Sequence, residues 1–120
     1  MILLALTVAA IGARPVSAGI EVPNAIVRQH DAYVRCQDDH FDIGKVTGQP
    51  SFVAAVENAI TACRSQKSEL KQDAERVLAS APDYTDPVKR QHALCEAFDS
   101  YDELRRAMAL GAQSYKVTCR

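Results

Sequence analysis

One apolar stripe, in the stretch from Phe52 to Ala79, constrains the fold of this chain more than any other feature. At about 100° per residue, the apolar side chains of this stretch fall on one side of a helix. The stripe comprises Phe52, Val56, Ala59, Ile60, Cys63, Leu70, Ala74, Val77 and Leu78. The pattern predicts one amphipathic helix of about 40 Å, along which the rest of a small domain packs. Ser51 is its expected N-cap, because Pro50 disfavours helix immediately before it.

A shorter helix is predicted before this central one, from Ala25 to about Gln37, with Asn24 as its N-cap. One face of it carries Ile26, His30, Tyr33 and Gln37. Residues 38–50 then form a connector, since two glycines and a proline interrupt any regular structure. We expect Phe41 and Ile43 to anchor this connector against the core.

A third main helix is predicted to start at Asp86-Pro87, where an N-cap carboxylate precedes a proline in the first turn. Gly111 is suited to end it. Its apolar face comprises Leu94, Ala97, Phe98, Tyr101, Leu104, Met108 and Ala112. Asp102 and Arg106, four residues apart, are expected to form a surface ion pair. The predicted fold class is all-α: a small disulfide-stapled bundle of three main helices around a long central helix, with a possible short fourth element.

Residues 1–18 have the pattern of a secretory signal peptide. The stretch from Ile2 to Ile11 is apolar apart from Thr7, and it is shorter than the roughly 20 residues that span a bilayer. Val16-Ser17-Ala18 is a small-residue cleavage pattern, so we expect residues 19–120 to form a single helical domain. The first residues carry no Lys or Arg, so the alternatives are a buried apolar segment or a start site further upstream.

Cleavage after Ala18 would remove one of the 14 basic residues and change the formal net charge from −1 to −2. A charge this small gives no field that attracts nucleic acid or an anionic membrane. A mature chain of about 100 residues also has a marginal core, which disulfides can reinforce. Four cysteines in an exported chain indicate two disulfides and a periplasmic or secreted location.

Helical geometry favours the pairs Cys36–Cys63 and Cys95–Cys119 among the three possible pairings. The connector is long enough to bring Cys36 beside the middle of the central helix. The tail after Gly111 reaches at most about 26 Å, against the about 22 Å of helix that it must retrace to Cys95. A Cys63–Cys95 bond would be about 12 Å out of register in a hairpin that turns near residue 83.

One alternative for the cysteines is a zinc site built from Cys36, His40, His92 and Cys95. Cys36 and His40 are four residues apart and His92 and Cys95 are three apart, so each pair shares a helical face. The four together would supply a tetrahedral Cys₂His₂ set. The set requires reduced cysteines, whereas exported cysteines oxidise, so we expect structural disulfides and no metal or other cofactor.

Two resemblances to known proteins bear on the first half of the chain. Tyr33-x-x-Cys36, the Gly/Pro-broken connector and Ala62-Cys63-Arg64 together resemble small exported helical proteins common in alphaproteobacteria. This resemblance covers Ala25 to about Leu78 and implies a periplasmic helical domain but no activity.

The second resemblance lies in His30-Asp31 with Tyr33, which is similar to the His-Asp pair of prokaryotic secreted phospholipase A2. It implies that His30 is a general base and that Asp31 binds calcium. The chain departs from that family because no cysteine shortly precedes His30 and no Gly-rich calcium loop is present. The base also needs an orienting carboxylate, for which Asp99 or Asp102 would have to pack beside it. The structural alternative is a partly buried His30 that packs beside Tyr33.

The sequence favours a binding or structural module over an enzyme. We expect the partner to be another protein or a second copy of the chain, with no nucleic acid and no membrane span. Lys67 interrupts the apolar stripe, and we expect its ammonium group to reach water at the edge of the core. Beyond Lys67 the third helix alone is expected to leave part of the stripe open. The predicted partner-binding residues there are Leu70, Ala74, Val77, Leu78 and Val88.

Overall fold

The computed structural model describes residues 20–112 and 115–119. In these residues the chain forms five α-helices: α1 (Val27–His40), α2 (Gln49–Ala62), α3 (Arg64–Ala79), α4 (Pro87–Leu94) and α5 (Ser100–Ala109). A π-helical segment, Cys95–Asp99, joins α4 to α5, and short 3₁₀ turns occupy Asn24–Ile26, Ile43–Lys45 and Pro82–Tyr84. The predicted all-α bundle is confirmed. The predicted signal peptide lies outside the described residues.

The central helix is longer than predicted and is broken once, at Cys63. Cys63 has φ −99° and ψ 7°, which ends α2, and α3 starts at the next residue. The two helices are joined without a loop, because the N–H of Cys63 donates to the carbonyl of Ala59 (3.1 Å) and its own carbonyl accepts from the N–H of Lys67 (2.8 Å). The apolar stripe therefore continues across the joint.

The start of α2 corrects the predicted N-cap. Pro50 lies in the first turn of α2, where its missing N–H costs no hydrogen bond. Ser51 is inside the helix, and its Oγ accepts from the N–H groups of Thr47 (2.8 Å) and Gly48 (3.1 Å). Asn24 is not a side-chain cap either, since a single 3₁₀ turn precedes α1.

The chain from Pro87 to Ala109 folds back along the broken central helix, with α4 against α3 and α5 against α2. The predicted cap is confirmed at its start, where Oδ1 of Asp86 accepts from the N–H of Val88 at 3.0 Å. At its end Gly111 has φ 81°, a left-handed conformation that glycine adopts without strain. The helix α1 lies across the joint and packs against both α2 and α3.

The π-helical segment shifts the buried face of α5 by one residue. Uninterrupted α-helical spacing predicts that Tyr101 and Met108 face the core. Tyr101 does pack half-buried against the core and Leu104 is 7% exposed, as predicted. However, Asp102 is 5% exposed and Ala109 is 2% exposed, whereas Met108 is 46% exposed. A π turn contains one residue more than an α turn, so inward positions after it can come one residue later. The predicted face is therefore confirmed except at its end, where Ala109 takes the place of Met108, and Asp102 is buried in addition.

Most of the core lies where α1, α3 and the π-helical segment meet. Its largest fully buried side chains include Tyr33 and Phe98, whose ring centroids are 5.8 Å apart, together with Ile26 and Leu78. A second, smaller cluster between α2 and α5 contains Val56, Ile60 and Ala109, with Phe41 and Phe52 packed against it. Phe41 thus anchors the connector as predicted, but Ile43 is 70% exposed and does not.

Both predicted disulfides are confirmed. Cys36–Cys63 joins α1 to the break between α2 and α3, with 6.1 Å between the Cα atoms. Cys95–Cys119 joins the start of the π-helical segment to the C-terminal tail, with 5.9 Å between the Cα atoms.

The open apolar face predicted beyond Lys67 is wrong. Ala74 and Leu78 are completely buried, and Leu70 and Val77 pack half-buried against the core. The covering comes from α1 and from the N-terminal segment that includes Val22, as well as from α4. Of the five predicted partner-binding residues only Val88 is exposed, at 71%. None of the helices in the described ranges is both long and apolar enough to cross a membrane.

Candidate functional site: a charged cleft over a buried aspartate

A polar cluster around the buried side chain of Asp102 connects three parts of the fold. Oδ1 of Asp102 accepts hydrogen bonds from the hydroxyl of Tyr33 and from Nε2 of Gln37, the latter at 2.6 Å. Its Oδ2 lies 2.8 Å from Nζ of Lys67. The same ammonium group lies 2.6 Å from Oδ1 of Asp99. We call these five residues the Asp102 cluster.

Local helical geometry explains how the Asp102 cluster forms. Tyr33 and Gln37 are four residues apart on α1, so their side chains point to the same side. Lys67 comes from the first turns of α3, just after the break. Asp99 and Asp102 are three residues apart at the end of the π-helical segment and the start of α5, and both reach the one ammonium group. Lys67 thus lies at the edge of the core, as predicted, but its ammonium group binds two carboxylates that the sequence did not indicate as partners.

The charges in the cluster stabilise one another. Burial raises the pKa of Tyr33, and the neighbouring Asp102 carboxylate raises it further, so the phenol remains a hydrogen-bond donor. Burial lowers the pKa of Lys67, but its bonds to Asp102 and Asp99 outweigh this and hold that pKa above its ordinary value. Burial likewise raises the pKa of Asp99, and the bonds from Lys67 and Lys71 reverse the effect and lower it overall.

A cleft of about 250 Å³ opens directly above this cluster. Its lining contains three basic and three acidic side chains and one apolar one: Arg64, Lys67, Arg106, Asp99, Asp102, Glu103 and Ile60. The formal charges of the lining therefore sum to zero. Such a lining can neutralise both ends of a ligand that carries both charges.

The rim of the cleft corrects the predicted Asp102–Arg106 pair. Arg106 instead binds Glu57 of α2 through Nε and Nη2, and it binds Glu103 through Nη1 at 3.0 Å. The hydrogen bonds from Arg106 lower the pKa of Glu57, and the bond to Glu57 raises the pKa of Arg106. Asp102 points inward because the π-helical segment has rotated it away from this surface.

A second group of side chains, a histidine next to the Cys36–Cys63 disulfide, lies near the C-terminal end of α1. Nδ1 of His40 is 3.8 Å from Sγ of Cys36 and 3.7 Å from Sγ of Cys63. The imidazole also lines a cavity of about 480 Å³ between the connector and α2.

The zinc set considered from the sequence is only half assembled. Cys36 and His40 do lie together, but Cys95 is bonded to Cys119, and Nε2 of His92 lies 3.3 Å from a carboxylate oxygen of Glu96. In the part of the chain that the structure describes, the three side chains that meet are instead Cys36, His40 and Cys63.

The residues of the phospholipase-like pair do not form a catalytic arrangement. Nδ1 of His30 donates to the carbonyl of Ala97 at 2.7 Å, and its ring packs edge-on against Tyr101. Asp31 is exposed, and it is the next residue on the helix, about 100° away around its axis. Asp99 and Asp102, the carboxylates considered for orienting His30, bind Lys67 instead.

The side chains that compose the cleft were partly visible in the sequence. Lys67 stood out as a charge in an apolar stripe, although its two carboxylate partners were not predicted. Asp102 gave no such signal, because uninterrupted helical spacing places it outside.

Comparisons of the chain with models of protein families, with curated proteins and with solved structures find no match.

Proposed function

We propose that this protein is a small exported helical binding module and that the charged cleft above the Asp102 cluster binds a small zwitterion, such as a free amino acid. The observation that carries the proposal is the cleft's lining of three cations and three carboxylates within about 250 Å³. Ligand sites for drug-sized molecules usually enclose about 300–1,000 Å³, so this volume favours a smaller molecule.

The accessible charges on the rim support this choice of ligand. Arg64 is exposed and directs a guanidinium group that can hold a carboxylate in two parallel hydrogen bonds. The side chains of Asp99 and Glu103 are 43% and 53% exposed, so they can accept from an ammonium group. The hydrogen bonds that Asp102 accepts from Lys67, Tyr33 and Gln37 fix the floor of the cleft before any ligand arrives, which reduces the entropy lost on binding.

The protonation states in the Asp102 cluster support binding over catalysis. An acid or base catalyst works best when its pKa lies near the working pH. Here the pKa of Tyr33 and the pKa of Lys67 are both raised, further from neutrality. Both groups therefore stay protonated and serve as fixed donors. The phospholipase alternative has no comparable support, because His30 is bonded to a backbone carbonyl.

Two disulfides and the absence of a membrane-spanning helix in the described ranges fit an extracellular or otherwise oxidising compartment. We propose, more narrowly, that residues 1–18 act as a signal peptide and that the mature chain works in the periplasm or is secreted.

The test is isothermal titration of residues 19–120 with free amino acids and with two blocked forms of each. The N-acetyl form retains only the carboxylate, and the amide form retains only the ammonium group. We expect the zwitterion to bind at least about tenfold more tightly than either blocked form, since each lost pair is worth about 1.5–3 kcal/mol. Arg64→Ala should weaken binding, whereas Arg35→Ala on the exposed side of α1 should not.

Equal binding of all three forms, or no binding of any amino acid at millimolar concentration, would contradict the proposal. Sedimentation velocity on the same samples tests the partner expected from the sequence, a second copy of the chain. If the chain forms a dimer that Val88→Ser disrupts, and no amino acid binds, the functional site would be a protein interface that includes Val88 and not the cleft.

A further inference from the structure

The imidazole of His40 and the two sulfur atoms of the Cys36–Cys63 disulfide form a triangle with one short side. Nδ1 of His40 lies 3.8 Å and 3.7 Å from the two Sγ atoms. These contacts join the last turn of α1 to the break between α2 and α3, so two rigid elements hold the triangle. Cys63 is completely buried and Cys36 is 7% exposed, whereas His40 is exposed.

Two of the three sides of this triangle already have the dimensions of a tetrahedral zinc site. With Zn–S bonds of about 2.3 Å and a Zn–N bond of about 2.1 Å, ideal geometry separates nitrogen from each sulfur by about 3.6 Å and the two sulfurs by about 3.8 Å. The observed N···S separations are within about 0.2 Å of that value. Only the S···S separation must increase, and breaking the disulfide permits this. The Cα atoms of Cys36 and Cys63 are 6.1 Å apart. Rotation of the two side chains about their Cα–Cβ bonds can then separate the sulfur atoms.

The position of His40 supplies a route for the ion. Its ring borders the cavity of about 480 Å³ that also contains Asp42, Lys45 and Ser51 in its lining. Metal and water can therefore reach the imidazole from this cavity. In the oxidised protein Nδ1 donates to the carbonyl of Cys36 at 2.9 Å. A metal bound through Nδ1 replaces that proton, and the imidazole then carries its proton on Nε2.

We propose that the reduced form of the chain binds one Zn²⁺ through Cys36, Cys63 and His40, so that the disulfide and the metal site are alternative states of the same three residues. A thiol reductant breaks the S–S bond by exchange, is itself oxidised to a disulfide, and delivers two electrons. The two protein thiols then lose their protons as they bind the metal. The inference does not depend on the charged cleft.

The experiment measures zinc binding to residues 19–120 with and without a dithiol reductant, by competition with a chromophoric chelator under anaerobic conditions. We expect one Zn²⁺ for each reduced chain and none for the oxidised chain. His40→Ala should weaken the affinity of the reduced chain at least about tenfold. The matched control is His92→Ala, which lies beside Cys95 in the other half of the molecule and should leave the affinity unchanged.

The reductant also opens Cys95–Cys119, so a Cys95→Ser/Cys119→Ser variant isolates the proposed set and should bind zinc as the reduced wild type does. Binding of Co²⁺ in place of zinc to the reduced wild-type chain provides a second measurement. It does not require the double Ser variant to fold. Its thiolate charge-transfer band should have the intensity of two thiolates, and its d–d bands should be tetrahedral. Circular dichroism follows the fold, since metal binding should restore any helix lost on reduction.

Three results would overturn the proposal: no zinc bound by the reduced chain, equal loss of affinity in the two histidine variants, or a cobalt spectrum with four thiolates. Failure here leaves the amino-acid titration untouched, because that titration uses the oxidised protein.

Discussion

The ammonium group of Lys67 lies 2.8 Å from Oδ2 of Asp102, a carboxylate 35 positions further along the chain. This contact ties the start of α3 to α5, and through Tyr33 and Gln37 it also ties both to α1. Asp102 is 5% exposed, so its charge depends on these three partners for compensation. The stability of the fold and the floor of the cleft therefore depend on the same bonds.

Lys67→Met should lower the free energy of unfolding by about 3 kcal/mol, because it leaves the buried Asp102 carboxylate without its cation. Adding Asp102→Asn should recover part of this loss, so the double variant should be less destabilised than the sum of the two single variants. Urea denaturation followed by circular dichroism measures all three. Arg106→Gln is the control, since its pairs are more exposed and should contribute about 0.2–1 kcal/mol. Strict additivity would show that the two groups do not interact.

The stability of the protein should fall at alkaline pH. The folded-state pKa of Tyr33 and that of Lys67 both lie above their ordinary values. Above about pH 10 the unfolded chain loses these protons while the folded chain keeps them, so the free energy of unfolding decreases as pH rises. Thermal unfolding between about pH 8 and pH 11, which includes the ordinary pKa values of both groups, measures the slope.

The variant that isolates the tyrosine's share is Tyr33→Phe. It should cost about 1–2 kcal/mol at neutral pH, because Asp102 loses a donor, and it should make the alkaline decline shallower. An unchanged alkaline slope in this variant would mean that Tyr33 titrates equally in both states.

Part of the loss of folding stability at acidic pH should come from Asp99. Its folded-state pKa is lowered overall, so its contribution is present above the ordinary pKa of about 3.9 and disappears as pH falls through the lower folded value. Asp99→Asn should therefore reduce the stability at pH 6 and flatten the decline below about pH 4. Differential scanning calorimetry of the wild type and the variant at about pH 6 and about pH 2 measures both effects. A variant that loses equal stability at pH 6 and pH 2 would contradict the assignment.

The two disulfides should contribute unequally although they close loops of similar length, with separations of 27 and 24 residues. Chain entropy assigns each about 3.5 kcal/mol. Replacing Cys36 and Cys63 by Ala should cost more than replacing Cys95 and Cys119, because the first pair is buried and its loss also leaves a cavity. Equal midpoints in urea for the two double variants would be the contrary result.

The export hypothesis predicts the N-terminus of the mature protein. Intact mass of protein recovered from the periplasm or medium of an expressing bacterium should correspond to a chain that begins at Gly19. A stable exported product that still begins at Met1 would refute the predicted cleavage.

The sequence was sufficient for those features that follow from local spacing and reach. The Asp86 cap, the hairpin of the two long helical stretches and both disulfide pairs were predicted from residue order and simple lengths. The ends of elements were less predictable. Ser51 looked like an N-cap, but Pro50 could enter the first turn of α2, and the helix started earlier.

The errors that affected the site came from tertiary packing. The N-terminal segment covers Ala74 and Leu78, and nothing in their own stripe indicates which neighbour buries them. Asp102 was assigned to the surface because a π turn cannot be recognised from the spacing of apolar residues alone. The resulting shift exchanged a surface ion pair for a buried one.

The spacing of ion pairs shows what that one additional residue does to the whole hairpin. Two ion pairs join α3 to the returning chain: Glu75–Arg90 and Lys67–Asp99. Between these pairs the first stretch, in α3, contains 8 positions, whereas the second, from α4 through the π-helical segment, contains 9. The second stretch therefore contains one residue more than the first between the two pairs, and the π turn accommodates this additional residue. Cys95, the first residue of that turn, is bonded to Cys119, so the C-terminal tail is attached where the register between the two stretches changes. The contact between Asp102 and Lys67 therefore depends on a single additional residue in the turn before it.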